Sequence, residues 1–525
     1  MLKKLHGRKL AVCLIGGAMY ALFSAFGWQA EHGGGIWAGG ALLVAALLVW
    51  PIAALLAVLL ERGYTRALRR EKTFRAGRAF AFILACYVPM FCVAFPGSFA
   101  YDVPYQLRQV VTGAYSTHHP LLHTLALGGL LQLGRALGDI NLGAALYTAL
   151  QMALLAGCFA LTCGSIARQS GARAAKRAAV FFALYPLNMV MAVNATKDVL
   201  FGGFFALTLA LLNEIREKPS RGLALKIAAC GALAVMLRNN MAYAALVWLA
   251  LLTIGLRKAE KSAALAMLLA LTVGLCGNAA LKHATRAESG DMSEMLSWPI
   301  QQLARARLYD EERLTDAEKE AIDELMPGEA WACYDPTISD PVKFEFDTQA
   351  FRADVKKYVG VWLSVGKKCA GTYLDATMAL TYPFFYPYRE YRVSGYYVQM
   401  GMSDAYDAGW CDFDPPESRS LFPRALASLS WRFGAKGAMQ IPVVGWLFNM
   451  GVIVWTMLFF ALREMYWGRW RRFGTALLPV LLWGTFLLGP VMAGRYIYPF
   501  VCALPVLAAR PGRSVKEAAR GPAQK

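Results

Sequence analysis

LAVCLIGGAMYALFSAFGW (residues 10–28) and IWAGGALLVAALLVWPIAALLAVLL (residues 36–60) decide the fold. Neither stretch carries a charge, and neither keeps the polar face that a helix of a soluble domain turns to water. At about 1.5 Å per residue each is long enough to cross ~30 Å of hydrocarbon. The same criterion predicts further spans near 79–96, 142–166, 178–195, 199–213, 222–238, 241–256, 262–281, 441–463, 474–491 and 495–510. The expected fold is therefore an all-α membrane protein of about twelve transmembrane helices. The composition agrees, because 57% hydrophobic and 17% charged residues are too apolar a mix for an ordinary soluble chain of 525 residues. The first run is followed within a few residues by a second, so it reads as a retained anchor rather than a cleaved signal.

The formal charge of +19 is spread in blocks between the apolar runs. Lys3, Lys4, Arg8 and Lys9 precede the first run, and Arg62, Arg66, Arg69, Arg70, Lys72, Arg75 and Arg78 follow the second. Arg168, Arg173, Lys176 and Arg177 follow the fourth, Arg216, Lys218 and Arg221 the sixth, Arg257, Lys258 and Lys261 the eighth, and Arg463, Arg469, Arg471 and Arg472 the tenth. Basic residues at every even-numbered junction are what cytoplasmic loops carry, and Arg510, Arg513, Lys516 and Arg520 extend the pattern to the tail. Both termini are thus expected in the cytoplasm, with anionic membrane lipids as partners. No basic and aromatic surface is presented on a soluble domain, which argues against nucleic acid.

Residues 282–440 break the pattern, holding 24 of the 35 acidic residues and 18 of the 54 basic ones. They are expected to form a mainly helical extracytoplasmic domain inserted between spans nine and ten, with a capping box at Thr315 and Glu318. Residues 355–388, aromatic and rich in Lys pairs, suit an amphipathic helix on the membrane surface or packed over the bundle. The expected division is 1–78 for two extra helices and a basic loop, 79–281 for a core with an external loop at 97–141, 282–440 for the soluble domain, and 441–525 for the closing helices and tail. Most of the eleven cysteines fall inside spans; Cys333, Cys369 and Cys411 do not, and their spacing selects no disulfide.

Ionisable residues at the edges of apolar helices are costly unless paired or facing water. Asp102 follows the third span, Lys197 and Asp198 lie between the fifth and sixth, Arg238, Asn239 and Asn240 between the seventh and eighth, and Arg495 with Tyr496 between the eleventh and twelfth. The alternating topology puts all four groups at one depth, which predicts a single site. Lys197 and Arg238 could instead snorkel to headgroups, and Asp198 could cap a helix or pair with Lys197. Asp102, in FPGSFAYDVPYQLRQ, has no local structural reason to be a carboxylate. Arg495, with no acidic neighbour in sequence, suits an anion gripped through two N–H groups. His118, His119 and His123 are half the histidines of the chain. They have no Cys or carboxylate at ligand spacing, so hydrogen-bonding or helix-start roles are preferred to metal binding, with Asp102 and His119 as the one pair that could share a divalent ion. No Walker loop, dinucleotide turn, nucleophile elbow or His-Glu-x-x-His pattern appears, which argues against a nucleotide-driven pump.

SFAYDVPYQ, HHPLLHTLALGGLLQLG, the Gly138-Asp139 turn, NATKDVLFGGFFALTLALL and RYIYPFVCALP together resemble the GT-C superfamily of integral-membrane glycosyltransferases. The resemblance is to the protein mannosyltransferases and aminoarabinose transferases, and covers roughly residues 79–260 and the end of the chain. The sequence departs from that pattern in three ways. Asp102 stands between Tyr101 and Val103 instead of in an acidic pair, the soluble domain interrupts the bundle as in a bacterial branch of the superfamily, and two spans precede the core. The resemblance implies transfer of a sugar from a polyprenyl-phosphate donor to an extracytoplasmic acceptor, with inversion and without a nucleotide. Asp102 would then be the general base. Lys197, Arg238 and Arg495 would hold the departing phosphate, and Asp198, Asn239, Tyr496, His118 and His119 would complete the substrate site. A transporter or flippase of an anionic lipid or solute, and a polysaccharide polymerase or ligase, are the rival readings.

Overall fold

The computed structural model describes all residues except 1–4, 6, 33–39, 63–72, 101, 255–257, 291, 388–397, 399, 403–414, 434–440 and 511–525. Much of the basic segment after the second span, the basic tail beyond Arg510, and Cys411 lie outside the described residues; Cys333 and Cys369 are free thiols.

Helices account for nearly every regular element, and among the described residues β-structure is limited to isolated bridges. The amino-terminal half runs α1 (Arg8–His32), α2 (Ala41–Arg62), α3 (Ala76–Ala94), α4 (Val103–Thr112), α5 (Leu121–Ala136), α6 (Ile140–Ser170), α7 (Ala172–Leu184), α8 (Pro186–Ala192), α9 (Lys197–Glu217), α10 (Arg221–Leu237), α11 (Asn239–Ile254) and α12 (Lys258–Thr285). Six helices among the described residues are long and apolar enough to cross a membrane, lying in α1, α2, α3, α6, α9 and α12. The other expected spans fall on shorter or interrupted helices. Residues 178–195, for instance, divide at Tyr185, because Pro186 lacks the N–H that would continue α7 and instead starts α8.

Six helices then form a separate small body: α13 (Ser297–Tyr309), α14 (Asp316–Leu325), α15 (Asp340–Lys343), α16 (Thr348–Ala353), α17 (Val355–Lys368) and α18 (Ala370–Thr381). Their core, centred on Ile300, Leu303, Ile322, Leu325, Val342 and Val365, is distinct from that of the bundle. The Thr315–Glu318 capping box is present. The amphipathic segment is two helices rather than one. It breaks at Cys369, so α17 buries Tyr358 and Val365 in this small core while α18 packs between α13 and α1. After α19 (Pro423–Phe433) the chain returns to the bundle as α20 (Met450–Tyr466), α21 (Trp470–Leu487) and α22 (Tyr498–Ala508).

Two contacts frame the candidate site. Gly202 of α9 lies against α22, where an added Cβ would stand 2.9 Å from the Cys502 sulfur and 3.0 Å from the Tyr498 ring. The missing side chain lets these helices approach closely, as small residues do in apolar bundles. In the expected loop 97–141, α5 packs on α6 and α4 on α5, around a cluster of Phe99, Val103, Leu107, Leu127, Leu131 and Tyr147 that gives the loop its own apolar footing.

Candidate functional site: carboxylates and cations at converging helix starts

The site is assembled by a short parallel pairing of two chain segments. Ser98 N–H donates to Val193 O at 2.8 Å and Ala195 N–H to Ser98 O at 2.8 Å. Gly97, at φ +145°, permits the pairing, because a side chain there would be strained and would run into Thr148. Asp102 follows one paired segment and Lys197 the other, so residues 95 positions apart meet: Lys197 Nζ donates to Asp102 Oδ2 at 2.8 Å. Arg495, in the turn leading into α22, lays its fork across the same carboxylate, with Nη1 3.1 Å from Oδ2 and Nη2 3.3 Å from Oδ1. Its Nε lies 3.9 Å from Asp198 Oδ2. Asp198 is fully buried and accepts from Arg238 Nε at 2.6 Å and from the Thr196 hydroxyl at 3.1 Å. The aromatic ring of Tyr496 faces both guanidiniums, at 4.5 Å from Arg238 and 5.3 Å from Arg495.

Asp102, Lys197, Asp198, Arg238, Arg495, Tyr496 and His119 thus form one connected cluster. Of the alternatives open for Asp198, pairing with Lys197 is not the one adopted. Adjacent residues of a helix diverge by about 100°, so Lys197 turns to Asp102 and Asp198 turns inward to Arg238. His118 and Asn239 are exposed at the margin; His118 packs edge-on against His119 with ring centroids 4.6 Å apart. Asn240 is drawn off to Thr485.

Electrostatics follow from the geometry. Burial pushes the Asp102 carboxyl up, but Arg495 and Lys197 beside it overcome that and hold it well below the usual carboxylate range. Burial and the Lys197 charge push His119 well below its usual value, so it is neutral at pH 7. Lys197 Nζ lies 3.4 Å from His119 Nδ1 as well as 2.8 Å from Asp102, and the two residues are themselves 3.7 Å apart. The ammonium therefore stands where a divalent ion shared by Asp102 and His119 would have to be, and this donor set does not suit a metal. Among the described residues no three His, Cys, Asp or Glu side chains gather as metal ligands.

His123 lies behind the cluster, buried, with Nδ1 2.9 Å from Gln106 Nε2 and Nε2 2.9 Å from the Tyr147 hydroxyl. Burial pushes it down to about 3, so it is a neutral tie between α4, α5 and α6. Gln151 continues the network to the carbonyls of Ala192 and Asn194 beside the parallel pairing. The sequence reading missed Tyr105, an exposed ring one helical turn after Asp102 and 6.5 Å from the His119 ring. The i, i+3 spacing from Asp102 was the available signal.

Two of the three cations stand at helix beginnings, Lys197 opening α9 and Arg495 preceding α22, while Arg238 lies at the junction where α10 ends and α11 begins. Helix beginnings carry the positive end of the macrodipole. Cations placed there add to that potential instead of offsetting it, and two carboxylates leave one positive charge over. The cluster carries a net positive charge around a carboxylate whose side chain is 22% exposed.

Among solved structures the chain is similar to ArnT from Cupriavidus metallidurans bound to undecaprenyl phosphate, at 13% identity and a TM-score of 0.32, over 83% of this chain and 78% of that one. Neither fold nor chemistry transfers at that level. No curated protein matches the chain. The model of the family of unknown function DUF6020 matches residues 111–525, and the chain belongs to that family.

Proposed function

We propose that the Asp102 cluster transfers a sugar from a polyprenyl-phosphate donor to an acceptor hydroxyl. The reading rests on one observation, that Asp102 is bracketed by Lys197 and Arg495 at helix beginnings. The polyprenyl class and the sugar come from the GT-C resemblance of the sequence. An arriving donor phosphate competes with Asp102 for Lys197 and Arg495. As those cations turn to the phosphate, the Asp102 carboxylate loses the charges that keep its basicity low. It then accepts the proton of the acceptor hydroxyl while that oxygen bonds to the anomeric carbon from the face opposite the phosphate. The carbon–oxygen bond to phosphate breaks, and its electron pair stays on the phosphate oxygen held by Lys197 and Arg495. Arg238 and Asp198 hold the second layer in place, Tyr496 braces both guanidiniums, and Tyr105, His118 and Asn239 line the approach.

Membranes containing the full chain, supplied with radiolabelled polyprenyl-phosphate sugars, test the reaction. The expected result is labelled product with the wild type and at least about 100-fold less with Asp102→Asn. Label that crosses the bilayer still attached to its lipid favours a flippase, and full transfer by Asp102→Asn removes the base.

A further inference from the structure

The three loops that carry Asp102, His119 and Arg495 are each paired with a segment of residues 282–440. Before Asp102, Phe99 N–H donates to Gly401 O at 2.9 Å, and the Ser98 hydroxyl accepts from Gly401 N–H at 3.0 Å. Before His119, Glu288 N–H donates to Tyr115 O at 2.9 Å and Thr117 N–H to Glu288 O at 2.8 Å. Before Arg495, the turn after α21 is gripped at two points. The Trp298 indole donates to Leu487 O at 2.7 Å, while Ser339 donates to Pro490 O through its N–H at 2.8 Å and its hydroxyl at 3.2 Å. Leu487 ends α21, so its carbonyl has no partner further along the helix and takes one from outside. Ser339 is fully buried, and its segment is braced in turn on α13, where Gln301 Nε2 donates to the carbonyls of Asp335 and Ile338 at 2.8 Å each.

We infer that residues 282–440 clasp the Asp102 cluster, and that Trp298 and Ser339 are positioning residues for Arg495. They act through the turn: with Leu487 and Pro490 held, the backbone delivers Arg495 to one place, from which its guanidinium lies across Asp102. A cation fixed in advance leaves less to be ordered when a phosphate arrives, so the contacts raise affinity without touching the ligand. This role rests on the phosphate-holding part proposed for Arg495. It differs from mere fastening of the small body to the bundle, which would stabilise the fold and leave the affinity alone.

Hydrogen–deuterium exchange of the peptide 488–497 in the full chain, and titration of the same protein with polyprenyl monophosphate, test the role without a sugar. The Trp298→Phe, Ser339→Ala double variant removes both side-chain donors and keeps an aromatic ring at 298. It is expected to exchange about tenfold faster in that peptide and to bind the lipid phosphate about three- to tenfold more weakly. Glu318→Gln, which loosens the small body away from the turn, is expected to match the wild type in both. The assignment is overturned if exchange in the peptide is unchanged, whatever the wild type binds or transfers. It is equally overturned if exchange quickens while the affinity holds, which would make the contacts fasteners only, or if Glu318→Gln shifts both as much, which would indicate general loosening. Failure of the wild type to transfer sugar counts against the reaction alone.

Discussion

Arginines stand at both ends of α22, and they do opposite things. At its close, Arg463 Nη2 donates to Leu507 O at 2.7 Å and Arg472 Nη2 to Ala509 O at 2.5 Å. Those carbonyls have no partner within the helix, and cations beside them are favoured by the macrodipole. Arg463 is further neutralised by Glu464, and nearby Arg216 pairs with Glu260 at 2.7 Å. At its opening, Arg495 lays its guanidinium across the Asp102 carboxylate. Like Lys197 it stands at a helix beginning, where the dipole disfavours a cation, and Asp102, the carboxylate of the cluster that is not fully buried, lies between the two. Buried ion pairs alone do not mark a functional site. The sign of the charge relative to the helix end separates the two: at one end charge completes the helices, and at the other it is held against their preference.

That contrast is broken most directly by neutralising one carboxylate at each end. Asp102→Asn is expected to lower sugar transfer about 100- to 10,000-fold, the range for removing a positioned acid or base, in protein that still folds. Glu464→Gln is expected to leave the activity of the folded fraction unchanged while lowering its unfolding temperature. Equal losses of transfer in both variants would show that the Asp102 end is also only structural. Next in size, Asp198→Asn leaves Arg238 buried without its counter-charge and is expected to cost about 3–5 kcal/mol of stability, measured by thermal unfolding of purified protein. A smaller loss would mean that the Tyr496 and Phe486 rings, 4.5 and 5.0 Å from the guanidinium, carry the charge themselves. Third, Arg495→Lys keeps the charge but loses the fork across a planar anion. Apparent donor affinity is expected to fall about tenfold, as when a charged hydrogen bond is removed, with the maximal rate changing less; unchanged affinity would release Arg495 from the phosphate.

The convergence of these residues was legible because burial cost at apolar helix edges is a local property, readable at Asp102 and Arg495 one at a time. Their pairing was not. Whether Lys197 meets Asp102 or Asp198 depends on the backbone pairing of residues 98 and 194, which no periodicity encodes, and on the divergence of neighbouring side chains at the start of α9. The spans were legible wherever hydropathy ran long, as in α1, α2 and α6, and less so where proline or an ion pair interrupted it, as at Tyr185–Pro186 and Arg238. Thr315 and Glu318 could be read fully, because a capping box is satisfied within four residues. The two helices within 355–388 could not, since the break at Cys369 follows from packing on α13 and on α1.

The capping box also supplies the smallest test, in the body with its own core. Glu318 accepts from Thr315 N–H at 2.8 Å, the Ser364 hydroxyl at 2.7 Å and Lys368 Nζ at 2.7 Å. Burial raises its carboxyl, but Lys368, the Thr315 N–H and Ser364 together bring it down to about 2 from the usual 4.5. The folded form thus holds the ionised state more tightly than the unfolded chain does. The stabilisation is complete above about pH 4.5 and is lost as pH falls toward about 2. Glu318→Gln is expected to cost about 1 kcal/mol at neutral pH, as loss of a helix cap does, and its unfolding temperature should approach that of the wild type as pH is lowered through that window. A gap that stays constant across the window would mean that Glu318 acts through packing and not through charge. The Asp102 carboxylate is depressed by the same kind of partners, yet the two differ in what a ligand can do. Glu318 has partners fixed by its own helix and by α17, whereas in the proposed reaction Lys197 and Arg495 exchange Asp102 for the incoming phosphate. Titration in the presence of donor lipid should therefore move the Asp102 carboxyl upward and leave the Glu318 carboxyl where it is.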